Sequence, residues 1–367
     1  MSSEKIKVAI THGDINGIGY EVIFKALADP RMLEVCTPVI YGSSKVAAYH
    51  RKALNLPAIS LNSVRSGEEA HSKRINIVNC VDDNVRVELG KPTDVSGQAA
   101  FVALEKAVED LRNGGVHVLV TAPINKKVIQ SKDFNFPGHT EFLASSFGGK
   151  PLMLLVSDAL RVGVVTGHIP LKDVSAALSK ELILEKLRIL NSCLKRDFVI
   201  RKPRIAVLGL NPHAGDDGLL GSEEKDVIIP ALEAAKQDGV LAFGPFPADG
   251  FFATENMRKF DAILAMYHDQ GHIAVKTWGF SGNCAIIIEL SYLHVTVAHG
   301  TAYDIAGKGT TDPAMMLSAM RTAASLAAAE DFPRNADGRM PYFMFGRRRT
   351  GRPSFATAYI RSPFRSV

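Results

Sequence analysis

Apolar residues along this chain fall into short runs, separated by stretches in which they recur every three or four positions. The runs at 8–10, 118–120, 152–156, 205–208 and 263–266 predict buried strands, and the amphipathic stretches 97–113, 182–194, 223–237 and 314–329 predict helices. The last helix is announced by Thr311-Asp312-Pro313, a capping residue followed by proline at the first turn. Strands that alternate with helices imply parallel sheets covered on both faces, so the fold class is α/β. No repeat, low-complexity block or long linker interrupts the first 330 residues. The pattern fits two α/β/α lobes with a cleft between them: 1–128 plus about 280–330 as the first, 129–279 as the second, and 331–367 as a basic extension.

Composition narrows the class. With 367 residues, 46% hydrophobic and 22% charged, the chain can bury a sizeable core. The net charge of +5 is local, because 331–367 holds eight Arg against Asp331 and Asp337 and leaves the remainder near −1. That tail reads as a solvated extension, and no nucleic-acid partner is expected. The charged N-terminus lacks a secretory apolar stretch, and no uncharged run reaches the roughly 18 residues of a membrane span, so the chain reads as cytoplasmic. Cys36, Cys80, Cys193 and Cys284 are too scattered to suggest a disulfide framework or a thiolate zinc site.

Candidate chemistry sits where apolar runs end. His168 in Val-Val-Thr-Gly-His, His213 in Leu-Asn-Pro-His-Ala-Gly and His268 in Met-Tyr-His-Asp-Gln-Gly each follow a predicted strand. Loops at the carboxyl ends of parallel strands converge on one crevice, and three neutral imidazoles with an open position would suit zinc or a similar divalent ion. Singly, each is as well explained as a hydrogen-bonded structural histidine. In Phe136-Pro-Gly-His-Thr-Glu141, His139 and Thr140 either bind an anionic substrate or start a capped helix. The glycine-spaced segment from His299 through Gly300, Thr301, Ala302 and Asp304 to Gly309 suits close approach of a nucleotide, or is a plain connection. The early loop from Thr11 to Gly19 reads as architectural.

Taken together, the residues resemble the 4-hydroxythreonine-4-phosphate dehydrogenase (PdxA) family of vitamin B6 biosynthesis over about residues 5–330. The marks are Thr11 to Gly19, Thr121-Ala-Pro-Ile-Asn-Lys126, Pro137-Gly-His-Thr-Glu141, Thr166-Gly-His168, Gly209-Leu-Asn-Pro-His-Ala-Gly215, Pro247-Ala-Asp249, Ala265-Met-Tyr-His-Asp-Gln-Gly271 and His299-Gly-Thr-Ala302. The stretch from His299 to Pro313 also looks like the adenosine-binding loop of isocitrate and isopropylmalate dehydrogenases, which share this fold and lack a GxGxxG fingerprint. The resemblance implies NAD(P)-dependent oxidation of 4-phosphooxy-L-threonine to 2-amino-3-oxo-4-phosphooxybutanoate, which decarboxylates to 3-amino-2-oxopropyl phosphate. It implies a homodimer with the active site at the subunit interface and one divalent metal (Zn, alternatively Mg or Co) on His168, His213 and His268. His139, Thr140 and Lys276 would meet the small phosphorylated hydroxy acid, His299, Gly300, Thr301, Ala302 and Asp304 the NAD or NADP, and Asp249 and Asp269 would orient the imidazoles.

The chain also departs from the family. An ungapped reading puts Ala285 and His294 where the family has a substrate-binding asparagine and arginine. Asn283, two residues early, restores the asparagine after a local shift, whereas His294 cannot supply a bidentate cation. Three alternatives follow: a D-erythronate or D-threonate 4-phosphate dehydrogenase of the same family, a metal-dependent phosphatase or hydrolase, and a non-catalytic metal-binding relative.

Overall fold

Val8, Ala9 and Ile10 are wholly buried in β1 (Lys7–Thr11), as expected of a strand covered on both faces. The computed structural model describes residues 5–56, 59–157, 160–278, 284–288 and 293–330, so Asn283 and the basic 331–367 extension lie outside the described residues. The other strands described are β2 (Thr37–Gly42), β3 (Leu61–Val64), β4 (Ile75–Asn79), β5 (Val118–Thr121), β6 (Leu152–Val156), β7 (Arg161–Thr166), β8 (Arg204–Leu208), β9 (Leu241–Phe246), β10 (Ala262–Tyr267), β11 (Cys284–Ile288) and β12 (His294–Val297). They form one sheet in the order β3-β4-β2-β1-β5-β12-β11-β6-β7-β10-β8-β9. From β3 to β12 all neighbours are parallel; β11 is antiparallel to both β12 and β6, and β6 to β7, after which β7, β10, β8 and β9 are again parallel. The sheet therefore holds two parallel blocks of opposite polarity.

All five expected strands form, and the fold is α/β. The expected helix 97–113 is Asp94–Arg112, started by a capping box in which the Thr93 hydroxyl accepts from Ser96 N–H. The expected 182–194 is Lys180–Arg196, capped by Ser179. The expected 223–237 is not regular: a π-helical turn at Glu224–Ile228 runs into the helix Ile229–Gln237. The last helix is Ala314–Glu330, where the Asp312 carboxylate accepts the Ala314 N–H, while Thr311 bonds elsewhere.

Alternation along β7 and β10 divides the apolar interior. Val162, Val164, Ile263 and Ala265 join a smaller core with Leu208, Phe251 and Val275, whereas Val165, Leu264 and Met266 face the main one. Burying such side chains contributes roughly 1.5–3 kcal/mol each. The helix His268–Trp278 lies directly on β7 because Gly271 lacks a side chain; a Cβ there would come within 2.8 Å of Val162. That contact places the start of the helix, and so His268, at the end of its strand. No helix among the described residues is long and apolar enough to cross a membrane.

Candidate active site

His168, His268 and His213 follow β7, β10 and β8, three adjacent parallel strands, so their loops emerge at one edge. The first two meet, with ring centroids 5.2 Å apart. Burial, then the charges of Lys126 and His268, lowers the pKa of His168 against the opposing pull of Glu141, which keeps its imidazole neutral and able to donate a lone pair. His268 Nδ1 lies 2.7 Å from Asp269 Oδ1; a proton held between them leaves Nε2 as the donor. His213 does not join them. It is exposed, and among the described residues of the chain no group of three His, Cys, Asp or Glu is arranged to hold a metal ion. The reason is backbone: His213, Ala214, Asp216 and Asp217 all have left-handed φ, between 42° and 56°, and carry the loop off the end of β8. Such a conformation costs on the order of 1 kcal/mol for each non-glycine residue.

His272 was not singled out from the sequence, yet its ring centroid is 3.8 Å from that of His268. One helical turn separates the two, and that spacing was the available signal. His272 is buried, with Nε2 unpartnered, and its pKa is driven down to about 3 by burial first and then by His268 and Lys276. Lys276 follows one turn later on the same helix. Asp249, in the short helix Ala248–Phe252, is exposed and its carboxylate makes no hydrogen bond or ion pair among the described residues, so the structure brings it to no imidazole.

His139 opens the helix His139–Phe147, whose N-cap is Gly138, so no side chain caps it; Thr140 follows in the first turn. The helix start is real, but the capping role considered for the Thr140 hydroxyl is not among its hydrogen bonds. His139 is half-buried with Nε2 enclosed and unpartnered, and burial, helped by Lys126, takes its pKa down to about 4. Lys126, a further residue missed, leaves the loop after β5 and passes close to Gly138, where a Cβ would be 3.9 Å from its Nζ. It acts electrostatically on both His139 and His168, so groups following strands of both blocks share one environment. Beneath His139 lies His294, 5.8 Å away between ring centroids, buried and bonded to Thr121 Oγ1 at 2.9 Å. Burial holds its pKa well below the ordinary range, so a neutral ring occupies this position.

The glycine-spaced loop follows β12 and rests on the Thr11–Gly19 loop. Ile18 N–H donates to Thr301 O, and a Cβ on Gly17 would come within 2.8 Å of that carbonyl, so only glycine permits the approach. Tyr303 Oη donates to Asp14 Oδ2 at 2.7 Å, and Asp14 also accepts from Asn16 N–H and Ser96 Oγ. Thr311 donates its N–H and hydroxyl to Glu21, and Lys25 donates to the carbonyls of Gly309 and Thr311. Within the loop, His299 is bonded through Nδ1 to Gly300 O and lowered in pKa by burial, Ala302 is left-handed, and Asp304 is exposed. The early loop is architectural, as read from the sequence, and what it supports is this second loop.

The model of the family described as pyridoxal phosphate biosynthetic protein PdxA matches residues 34–323. The chain belongs to the PdxA family. It is 52% identical to 4-hydroxythreonine-4-phosphate dehydrogenase of Bacteroides thetaiotaomicron, over 84% of this chain and 85% of the relative. It is 39% identical to D-threonate 4-phosphate dehydrogenase of Cupriavidus necator, over 87% and 97%. The solved structure of 4-hydroxythreonine-4-phosphate dehydrogenase from Klebsiella pneumoniae superimposes with a TM-score of 0.79 at 33% identity, covering 88% of this chain and all of that one. PdxA relatives therefore share both the sequence and the twelve-stranded arrangement's fold, and the dehydrogenase class carries over.

Proposed function

We propose that this PdxA-family chain oxidises 4-phosphooxy-L-threonine with NAD or NADP to 2-amino-3-oxo-4-phosphooxybutanoate, which decarboxylates to 3-amino-2-oxopropyl phosphate on the way to pyridoxal 5'-phosphate, in the cytoplasm. The observation that carries this is the 52% identity to a relative of that name along most of both chains. In the reaction, hydride leaves the hydroxyl-bearing carbon for the nicotinamide and the hydroxyl proton is released, giving a β-keto acid whose carboxylate departs as carbon dioxide.

The residues divide the work by chemistry. Lys126 and the first-turn N–H groups of His139–Phe147 provide a positive pole for phosphate, with His139 and Thr140 as neutral hydrogen-bonding groups. Lys276 takes a second anionic group, and Asn283, outside the described residues, is assigned to substrate. His299, Gly300, Thr301, Ala302 and Asp304 receive the nicotinamide cofactor. The donor set suits a divalent ion, zinc or alternatively magnesium or cobalt: His168 is neutral, and Asp269 turns His268 Nε2 outward. Bound there, the ion would supply Lewis acidity to the substrate hydroxyl. His213 completes the set when a second chain docks. Exposed apolar residues beside these histidines support such a homodimer, namely Leu171 (72% exposed), Leu219 (79%), Ile273 (64%) and Trp278 (49%). Asp249 is retained only as an orienting group in that assembled state. The lobe division 1–128 plus about 280–330 against 129–279 is likewise proposed.

A second reading, oxidation of D-erythronate or D-threonate 4-phosphate, is favoured by the 39% identical relative and by neutral His294 in place of a cation. The test is NADH formation with each phosphate, with and without divalent metal. Metal-dependent turnover of the amino acid supports the first reading, preference for the sugar acids replaces it with the second, and metal-replete protein inert toward all of them would sink both.

A further inference from the structure

Three strand ends that bear the histidines are fastened to one another by side chains. Parallel strands are held along their length by the ladder, but their ends rely on other partners. At β7, the Thr166 hydroxyl donates to Met266 O at 2.8 Å, two residues before His268. At β10, Met266 N–H donates to Gln270 Oε1 at 2.7 Å, and the same amide donates through Nε2 to Gly209 O at 2.7 Å, the first residue beyond β8. One side chain thus ties the His268 turn to the His213 loop. On the far side of that loop, Leu210 and Asn211 N–H both donate to Glu224 Oε1 at 2.7 Å, and Asn211 Nδ2 donates to Glu224 Oε2 at 2.9 Å and to Glu223 Oε2 at 2.7 Å.

Glu224 is 3% exposed and sits in the π-helical turn. The loop is pressed against it: a Cβ on Gly209 or Gly215 would lie 3.1 or 2.7 Å from its carboxylate oxygens. The left-handed run His213–Asp217 follows directly, an unfavourable backbone that persists only where its surroundings over-determine it. Each of these bonds ends within four residues of an imidazole.

We propose that Gln270 and Glu224 are positioning residues: Gln270 aims His268, beside His168, at a divalent ion, and together with Glu224 it holds the His213 loop in the form that completes such a site when a second chain docks. The inference rests on the metal reading above, and whichever chain's His213 completes a site, the same bonds orient it. Outer partners of metal ligands commonly change affinity by about 10–100-fold when removed.

The test is zinc titration of the full-length, chelator-stripped protein by competition with a chromophoric chelator, alongside thermal unfolding of the metal-free forms. His168→Ala is expected to lose zinc, which checks the underlying reading. Gln270→Met, which keeps the length but removes both hydrogen bonds, is expected to weaken zinc by about 10–100-fold with little change in the metal-free unfolding midpoint. Glu224→Gln, which keeps an acceptor for the two backbone N–H groups, should weaken it less. Should Gln270→Met not fold, Thr166→Val carries the same test, since it removes only the hydroxyl that links β7 to β10. Tight zinc binding by wild type, lost in His168→Ala but unchanged in Gln270→Met and Glu224→Gln, would overturn the proposal. Absence of zinc binding by wild type overturns the metal reading instead, and the positioning role falls with it.

Discussion

The two parallel blocks end in opposite ways. After β1 and β12, the loops of the first block close on each other: Asp14 collects three hydrogen bonds, Tyr303 and Thr311 are both paired, and His12 is stacked on Tyr20 with ring centroids 5.2 Å apart. After β7, β8 and β10, the second block holds its histidines by their flanking backbone, and leaves His272 Nε2 unpartnered, His213 exposed and apolar side chains in solvent. The first arrangement keeps a loop in shape; the second keeps donors available. Buried atoms without partners occur on both sides, at Thr11 Oγ1, His12 Nε2 and His299 Nε2 as well as His272 Nε2, so what separates scaffold from site is the exposure of the second block's histidine turns and of the apolar side chains beside them.

Substitutions should fall on opposite sides of that divide. The largest effect is expected from His268→Ala, which should reduce kcat/KM by about 10³-fold, equivalent to roughly 4 kcal/mol of lost transition-state stabilisation. Its unfolding midpoint should stay near wild type, and a large drop in midpoint would place His268 in the scaffold. Acid should act on the closed block as well as through buried His272 in the other. Burial lowers the pKa of His12 from 6.5 to about 4, so between those values the unfolded chain binds a proton that the folded chain does not. Stability therefore falls as pH drops through this window, by roughly 2 kcal/mol between pH 7 and 5 from this group. Denaturant titrations should show the loss in wild type and a flatter profile in His12→Phe; identical profiles would remove His12 as the cause. The smallest effect is expected from Tyr303→Phe, which removes one hydrogen bond worth about 1 kcal/mol from the loop assigned to the cofactor. The KM for NAD should rise about fivefold with kcat little changed, and an unchanged KM would detach that loop from cofactor binding.

Much of this was readable in one dimension. Central strands here are covered on both faces, so the parallel 8–10, 118–120, 205–208 and 263–266, and the antiparallel 152–156, stand out as continuous apolar runs. β9 did not stand out because, as an edge strand, it carries exposed positions and Pro245. His168 and His268 were visible because each directly follows its strand. Lys126 and His272 were not: Lys126 follows β5 only at a distance and acts across the two blocks, and His272 acts from the second turn of a helix. The capping role weighed for Thr140 gave way to a helix that starts on glycine.

The sequence by itself determined the α/β class, the PdxA family and the strand ends that carry imidazoles, because these depend on local periodicity and on short motifs. Only the tertiary structure decided which imidazoles meet, that His294 is a buried neutral ring under His139, that the early loop supports the His299–Gly309 loop, and that Gln270 ties the His268 turn to the His213 loop that Glu224 holds. Those facts are set by contacts between residues far apart in the chain, whose geometry follows from strand order and backbone conformation, and neither leaves a periodic trace in the residues themselves.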